Sequence, residues 1–443
     1  MVKPITIENK IGNFSKKIIV DGDKSISIRW VLISSQAVGK STAYNLLMSE
    51  DVLSAIKCIK KLGIKVILKK NTCKIYGNGI NGFNFRKNIL LDAGNSGTLG
   101  RLILPLLIKS PEKIKLIGDK SLSKRDFTRI IYPLQNFGAE FFPKYKKRIP
   151  LTIKGSNFIR PINYIENKGS AQCKSAVMLA SINAPGLTKI KAKRSRNHTE
   201  NFFKVLKIPI KIRKDKIYDY IEIQGQKNFS SLDYIIPGDI SSSAFFIVLT
   251  ILSENSNLII KKVNINPTRD GVVKILKKMG ANIFYKNVKI YKGEKIADIH
   301  VKSTKYLKAI NCPSNLNSSA IDEFLIIFLV AAKARGISFF NNIEELNQKE
   351  SKRLNIGSKI LNQMGIKTKL TTKSIKIYGN PNLQIKKKCI IKNFLGDHRV
   401  MAMSTIAALS IGGKWEIHNP ESINTSFPSF FQILKRNLGA KIN

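Results

Sequence analysis

One arrangement of apolar and polar positions keeps returning along the chain: an amphipathic helical stretch, a Gly, then an extended segment. It is read at Leu62-Gly63-Ile64-Lys65-Val66, Phe137-Gly138-Ala139-Glu140-Phe141 and Met279-Gly280-Ala281-Asn282-Ile283. It returns at Met364-Gly365-Ile366-Lys367 and Leu438-Gly439-Ala440-Lys441-Ile442, with a sixth, degenerate copy at Leu206-Lys207-Ile208-Pro209-Ile210. The spacing, roughly 70–85 residues, is longer than solenoid periods. The Gly suits the position just past a helix end, where positive φ carries no Cβ clash.

A second element lies upstream of several copies: a Gly/Ser/Asp-rich turn that opens an apolar helix. Examples are Asp21-Gly22-Asp23-Lys24-Ser25, Asp92-Ala93-Gly94-Asn95-Ser96-Gly97-Thr98 and Gly169-Ser170-Ala171-Gln172. Pro237-Gly238-Asp239-Ile240-Ser241-Ser242-Ser243 and Gly396-Asp397-His398-Arg399 follow the same plan. One such turn is ordinary punctuation. Six α/β units with their helix N-termini gathered in one region would form a strongly anion-attracting cleft.

Composition narrows the class. The 443 residues suit two hydrophobic cores rather than one, and 43% hydrophobic with 24% charged residues is a globular balance. The longest apolar runs, 244–252 and 324–332, reach about half of the ~18 residues a membrane span needs, and read as buried helix. The first residues, Met1-Val2-Lys3-Pro4-Ile5-Thr6, carry neither an apolar signal core nor an Arg/Ser-rich transit pattern, so a cytoplasmic protein without membrane contact is expected. Five scattered cysteines without a Cys-x-x-Cys pair, and four histidines without a His-x-x-x-His pair, suggest no metal and no disulfide framework. No cofactor is implied.

The net charge of +47 raises nucleic-acid binding as an alternative. The lysines are spread rather than blocked into an arm, and no RNA-binding aromatic pattern accompanies them. Lys, Ile and Asn are abundant together and Trp occurs twice, the composition an AT-rich genome favours. A positive surplus would still steer small polyanionic substrates inward.

Basic residues stand inside or beside the helix-opening turns: Lys24, Arg29, Arg101, Arg125, Arg129, Arg196, Lys349, Arg353 and Arg399. Arg captures carboxylate and phosphate bidentately, and Lys supplies a point charge. Two carboxylates stand out among 29 acidic residues, Asp322 and Glu350. On spacing alone Asp322 reads as a helix N-cap and Glu350 as an exposed partner of neighbouring lysines.

The ordered motifs resemble the EPSP synthase family over nearly the whole chain. They run Gly22-Asp23-Lys24-Ser25, Gly94-Asn95-Ser96-Gly97-Thr98 and Gly118-Asp119-Lys120-Ser121-Leu122-Ser123-Lys124-Arg125. Ser170-Ala171-Gln172-Cys173-Lys174, Arg196-Asn197-His198-Thr199-Glu200 and Asn266-Pro267-Thr268-Arg269 continue the series, in forms similar to the family's class II branch. Ile321-Asp322-Glu323, Lys349-Glu350-Ser351-Lys352-Arg353, Asp397-His398-Arg399 and Ser426-Phe427-Pro428 complete it. The resemblance implies an α/β fold of two similar domains, each of three βαβαββ repeats (an inside-out α/β barrel), with a cleft between them. It implies a first, discontinuous domain of residues 1–22 plus 237–443 and a second of 23–236.

The implied reaction joins phosphoenolpyruvate to shikimate-3-phosphate by addition and elimination, with small molecules as the only partners and a monomer as the working form. By resemblance, shikimate-3-phosphate is held by Lys24, Ser25, Arg29, Ser170, Ala171, Gln172, Arg196, Asp322 and Lys349. Phosphoenolpyruvate meets Lys24, Asn95, Gly97, Arg125, Gln172, Arg353 and Arg399. Asp322 is assigned as base to the attacking hydroxyl, Glu350 as acid to the methylene, and Lys24 as a third proton-handling group. The chain departs from the family pattern at Ile28, Asp126-Phe127, Asn197 and Lys352, none of which carries a direct chemical role. The enzymatic rival is the sister family acting on UDP-N-acetylglucosamine. Its members carry a Cys in the loop before the position of Arg125, and residues 118–124 contain none.

Overall fold

The structure, a computed structural model, describes residues 3–143 and 147–443. Met1 and Val2, where the leader reading begins, lie outside them.

The recurring pattern folds into supersecondary units of one plan. Residues 90–154 show it uninterrupted: strand Leu90–Asp92, helix Gly97–Ile103, strand Ile114–Ile117, helix Thr128–Phe137, strands Glu140–Phe142 and Leu151–Lys154. The first two strands pair in parallel, which requires a crossover and so a helix between them; the last two close the sheet antiparallel. The spatial order is first, second, fourth, third, and Asn163–Glu166, Leu187–Lys193, Tyr218–Gln224 and Ile210–Lys214 repeat it.

Other units take a strand from a distant part of the chain. Val38–Tyr44 finds its parallel neighbour in Tyr234–Ile235, and Asn257–Asn264 finds its own in Ser15–Ile18. The last sheet pairs Cys389–Ile391 with Trp415–Ile417 and completes itself with the N-terminal strand Ile5–Ile7. Beyond that strand, Thr6 and Asn443 exchange two backbone hydrogen bonds of 2.9 and 3.1 Å. In the sheet of Gly336–Phe340 the parallel partner is reduced to the bridge between Asn311 and Phe339.

The chain divides into two compact units. The terminal unit comprises Met1–Asp21, Pro237–Ile290 and Lys295–Asn443; the inserted unit comprises Gly22–Ile236 and Tyr291–Glu294. Gly22 and Tyr291–Glu294 therefore group differently from the sequence boundaries. Within the inserted unit, Ile235 N–H donates to the Tyr291 hydroxyl at 3.0 Å, and Glu294 Oε1 accepts from Asn201 at 2.9 Å and meets His198 Nδ1 at 2.8 Å. Each unit has its own hydrophobic core. Each core is centred on a fully buried indole whose N–H finds a backbone carbonyl: Trp30 on Leu232 at 3.1 Å and Trp415 on Gly412 at 2.8 Å.

Two kinds of helix alternate in each repeat. The second helices are amphipathic and end on the recurring Gly, whose φ is +87° at Gly63, +115° at Gly138, +91° at Gly280, +89° at Gly365 and +76° at Gly439. In the degenerate copy Lys207 takes the same left-handed turn at φ +55°.

The first helices are α1 (Lys24–Ser34), α2 (Gly97–Ile103) and α3 (Ala171–Ser181) in the inserted unit, and α4 (Ile240–Leu252), α5 (Phe324–Lys333) and α6 (His398–Ile411) in the terminal unit. They are buried nearly all round, α6 along its whole length, so their only solvent-facing chemistry lies at their starts. The apolar runs seen in the sequence lie in α4 and α5, and among the described residues no helix is long and apolar enough to cross a membrane.

Candidate active site

Five of the six first helices are capped by the short polar residue of the turn that opens them. Asp23, Ser96, Ser170, Asp239 and Asp397 accept from the backbone N–H of Ile26, Leu99, Cys173, Ser241 and Arg399 at 2.7–3.3 Å. None of the six carries an acidic residue in its first turn. The outer helix Glu50–Lys61, by contrast, has Glu50 and Asp51 at its start and Lys60 and Lys61 at its end, the usual complement to a helix dipole. Leaving the first turns free of acid keeps the positive end of each dipole available to an anion.

In the inserted unit the helix starts are cross-linked by side chains. Gln172, near the start of α3, donates Nε2 to Thr98 Oγ1 of α2 at 3.0 Å and accepts from Arg101 Nη1 at 3.0 Å. Arg101 also donates to the carbonyls of Gly97 (3.3 Å) and Asp126 (3.2 Å), and its guanidinium lies 5.0 Å from the Phe127 ring centroid. Arg125 runs past Gly97: a Cβ at that position would sit 2.5 Å from Arg125 Nη1. Glycine is what lets the guanidinium approach the start of α2. Asn95 Nδ2 donates to Asp119 Oδ2 at 2.5 Å.

Lys24 opens α1 with Nζ 3.0 Å from Asp51 Oδ2. Arg29 is 3% exposed and directs Nε to Thr199 Oγ1 (3.0 Å), Nη2 to Ser175 Oγ (3.2 Å) and Nη1 to the Ser25 carbonyl (3.1 Å). It ties α1 to α3 and to the helix His198–Val205. The backbone N–H of Ser170 donates to Glu166 Oε2 at 2.9 Å, and Glu166 Oε1 accepts from Arg129 at 2.6 Å. Lys24, Ser25, Asn95, Arg125, Ser170, Ala171, Gln172 and Arg196 are all half-buried.

The terminal unit brings the two singled-out carboxylates to one buried base. Arg353, 1% exposed, donates Nε to Asp397 Oδ2 at 2.8 Å and Nη2 to Asp397 Oδ1 at 3.2 Å. Nη2 also pairs with Glu350 Oε2, and Nη1 lies 3.6 Å from Asp322 Oδ1. Burial alone would lower the pKa of this guanidinium, but Asp397 and Glu350, with Asp322 behind them, outweigh it and raise the pKa. Ser351 Oγ donates to Asp397 at 2.8 Å, and Lys349 Nζ stands 3.4 Å from Asp322 Oδ1. Arg399 donates Nη1 to the Asp322 carbonyl at 2.6 Å.

Two readings made from spacing are thereby corrected. Asp322 is not the cap of α5: Glu323 holds that position, in helical geometry and without a side-chain cap bond, which leaves the Asp322 carboxylate to Lys349 and Arg353. Glu350 pairs with the buried Arg353 three residues on, a partner the spacing reading did not name. Asp397, Asp51 and Glu323 were not singled out as site residues, because their importance is a matter of partners between 27 and 82 residues away. Among the described residues no group of three or more His, Cys, Asp or Glu could hold a metal ion, and all five cysteines are buried and free.

Six βαβαββ units, with basic and polar groups at the starts of their buried helices, define the enolpyruvyl transferase fold. The enolpyruvyl transferase NikO from Streptomyces tendae shares that fold with a TM-score of 0.76 over 100% of this chain and 98% of its own, at 14% identity. The sequence profile of EPSP synthase (3-phosphoshikimate 1-carboxyvinyltransferase) matches residues 8–434, and the chain belongs to that family. It is 37% identical over 423 residues to the 3-phosphoshikimate 1-carboxyvinyltransferase of Lactococcus lactis, covering 95% of this chain and 96% of that protein. The enzyme of that name from Thermoanaerobacter is 38% identical over 430 residues, 96% of this chain and 98% of its own length. A solved EPSP synthase from Acinetobacter baumannii superposes with a TM-score of 0.87 at 33% identity, covering 100% of this chain and 99% of that one.

Proposed function

We propose that this chain transfers the enolpyruvyl group of phosphoenolpyruvate to the 5-hydroxyl of shikimate-3-phosphate, with the two compact units serving as its two functional domains. The observation that carries the chemistry is the grouping of Asp322, Glu350 and Lys349 around the buried Arg353. Both substrates are multiply anionic, so fixed cations and helix N-termini hold them in place of water.

In this reading the 5-hydroxyl attacks C2 of phosphoenolpyruvate and gives its proton to Asp322. Glu350 delivers a proton to the C3 methylene, making it a methyl group. Elimination then breaks the bond from C2 to the phosphate oxygen, releasing phosphate, while a methyl proton returns to a base and the double bond re-forms. Lys24, 3.0 Å from Asp51, is the third proton-handling group. Shikimate-3-phosphate is held by Lys24, Ser25, Arg29, Ser170, Ala171, Gln172, Arg196, Asp322 and Lys349. Phosphoenolpyruvate is held by Lys24, Asn95, Gly97, Arg125, Gln172, Arg353 and Arg399. The protein works as a cytoplasmic monomer without a cofactor, and a sedimentation profile at the mass of one chain is the check on its state.

The test mixes purified protein with both substrates and follows phosphate and the enolpyruvyl ether. Turnover with UDP-N-acetylglucosamine and none with shikimate-3-phosphate would overturn the reading.

A further inference from the structure

The starts of the three first helices of the terminal unit are joined by a buried chain of alternating charge that the reaction as described does not use. Asp239 caps α4, and its Oδ1 lies 3.3 Å from Arg269 Nη2. The same Arg269 nitrogen donates to Ser241 Oγ at 2.8 Å, and Ser241 Oγ donates to Glu323 Oε1 at 2.5 Å. Arg399 Nη1, at the start of α6, then stands 3.3 Å from that Glu323 oxygen and donates to the Asp322 carbonyl. Arg269 and Glu323 are 2% and 1% exposed, too deeply buried to meet a substrate themselves. Burying this many charges is unfavourable unless each is paired, and the pairing fixes geometry as much as it stabilises.

We propose that Glu323 is a positioning residue for the transfer reaction: oriented by Ser241 and Arg269, it sets the direction of the Arg399 guanidinium toward phosphoenolpyruvate. Ser241 polarises the arrangement, accepting from the cation and donating to the carboxylate. Without that donor, Glu323 has another rotamer open to it and Arg399 loses a fixed partner.

The inference rests on the reading of Arg399 as a phosphoenolpyruvate-binding residue, so Arg399→Lys is measured beside Ser241→Ala, Ser241→Thr and Glu323→Gln. Hydrogen bonds to charged groups lead to an expected rise of about 10-fold in KM for phosphoenolpyruvate in Ser241→Ala and of about 30-fold in Glu323→Gln. KM for shikimate-3-phosphate should stay within about 2-fold, and Ser241→Thr, which keeps the hydroxyl, should restore the wild-type value. If Arg399→Lys raises KM for phosphoenolpyruvate and the Ser241 and Glu323 variants do not, this inference alone falls. If Arg399→Lys leaves that KM unchanged, the binding reading and the inference fall together. An equal rise in KM for both substrates, or no rescue by Thr, marks a merely structural network and also overturns it. Should Glu323→Gln fail to fold, the Ser241 pair decides.

Discussion

The two units use the same parts, the starts of three buried helices, but only the terminal unit adds forward carboxylates to its forward lysine. In the inserted unit the cations and amides stand forward: Lys24, Arg125, Asn95 and Gln172 are half-buried, while the buried Asp51 holds Lys24 and the buried Glu166 holds the Ser170 backbone. In the terminal unit two acids come forward beside a lysine: Arg353 and Asp397 are buried, while the side chains of Lys349, Asp322 and Glu350 keep 20%, 15% and 18% of their exposure. A forward cation can hold an anion but has few means of moving a proton at neutral pH. A forward carboxylate braced by a buried guanidinium can accept a proton and return it. Cations that hold anions therefore stand in both units, and the terminal unit reads as the part that adds the carboxylate acid and base.

Five substitutions would break or sharpen that contrast. The largest effect is expected from Asp322→Asn and Glu350→Gln, each lowering kcat by about 10²–10⁴-fold with little change in thermal midpoint, since proton transfer by a placed side chain is worth that much. Near-normal turnover in both would erase the distinction between the units. Next is Arg353→Met, which leaves Asp397 buried without its main partner; denaturant unfolding should register a loss of about 3–5 kcal/mol. Stability within error of wild type would mean that the buried base is not the brace.

In the inserted unit, Gln172→Ala removes one hydrogen bond each from Arg101 and Thr98 and should lower kcat/KM by roughly 10-fold, chiefly through KM, in line with about 0.5–1.5 kcal/mol per hydrogen bond. A drop confined to kcat would give Gln172 a part in the chemistry and weaken the contrast. Smallest is Gly97→Ala, which pushes Arg125 aside; KM for phosphoenolpyruvate should rise by about 1 kcal/mol equivalent, several-fold, as expected of modest overpacking. An unchanged KM would place Arg125 outside the substrate contacts.

Much of the architecture was legible because it is local. A helix end at Gly63 or Gly365, a cap at Ser96 or Ser170 and an apolar run in α4 are each decided within a few residues, by periodicity and by the need for positive φ past a helix. Even Lys207, where Gly is missing, stood in register with the other copies and adopts their geometry. Lys24, Arg353 and Arg399 could be named as candidates from their unusual neighbours beside helix-opening turns, whereas Gln172 came only from the family resemblance.

The sequence by itself thus determined six repeats, the helix starts that bear the polar groups, and the family. Only the tertiary structure decided which strand completes each sheet and which charge faces which. Tyr234–Ile235 beside Val38–Tyr44 and Ile5–Ile7 beside Trp415–Ile417 are pairings across hundreds of residues, set by closure of a shared core rather than by any local pattern. Likewise Asp397 on Arg353 and Glu323 on Arg399 are choices among many possible partners. They are made when burial leaves a charge no water to turn to.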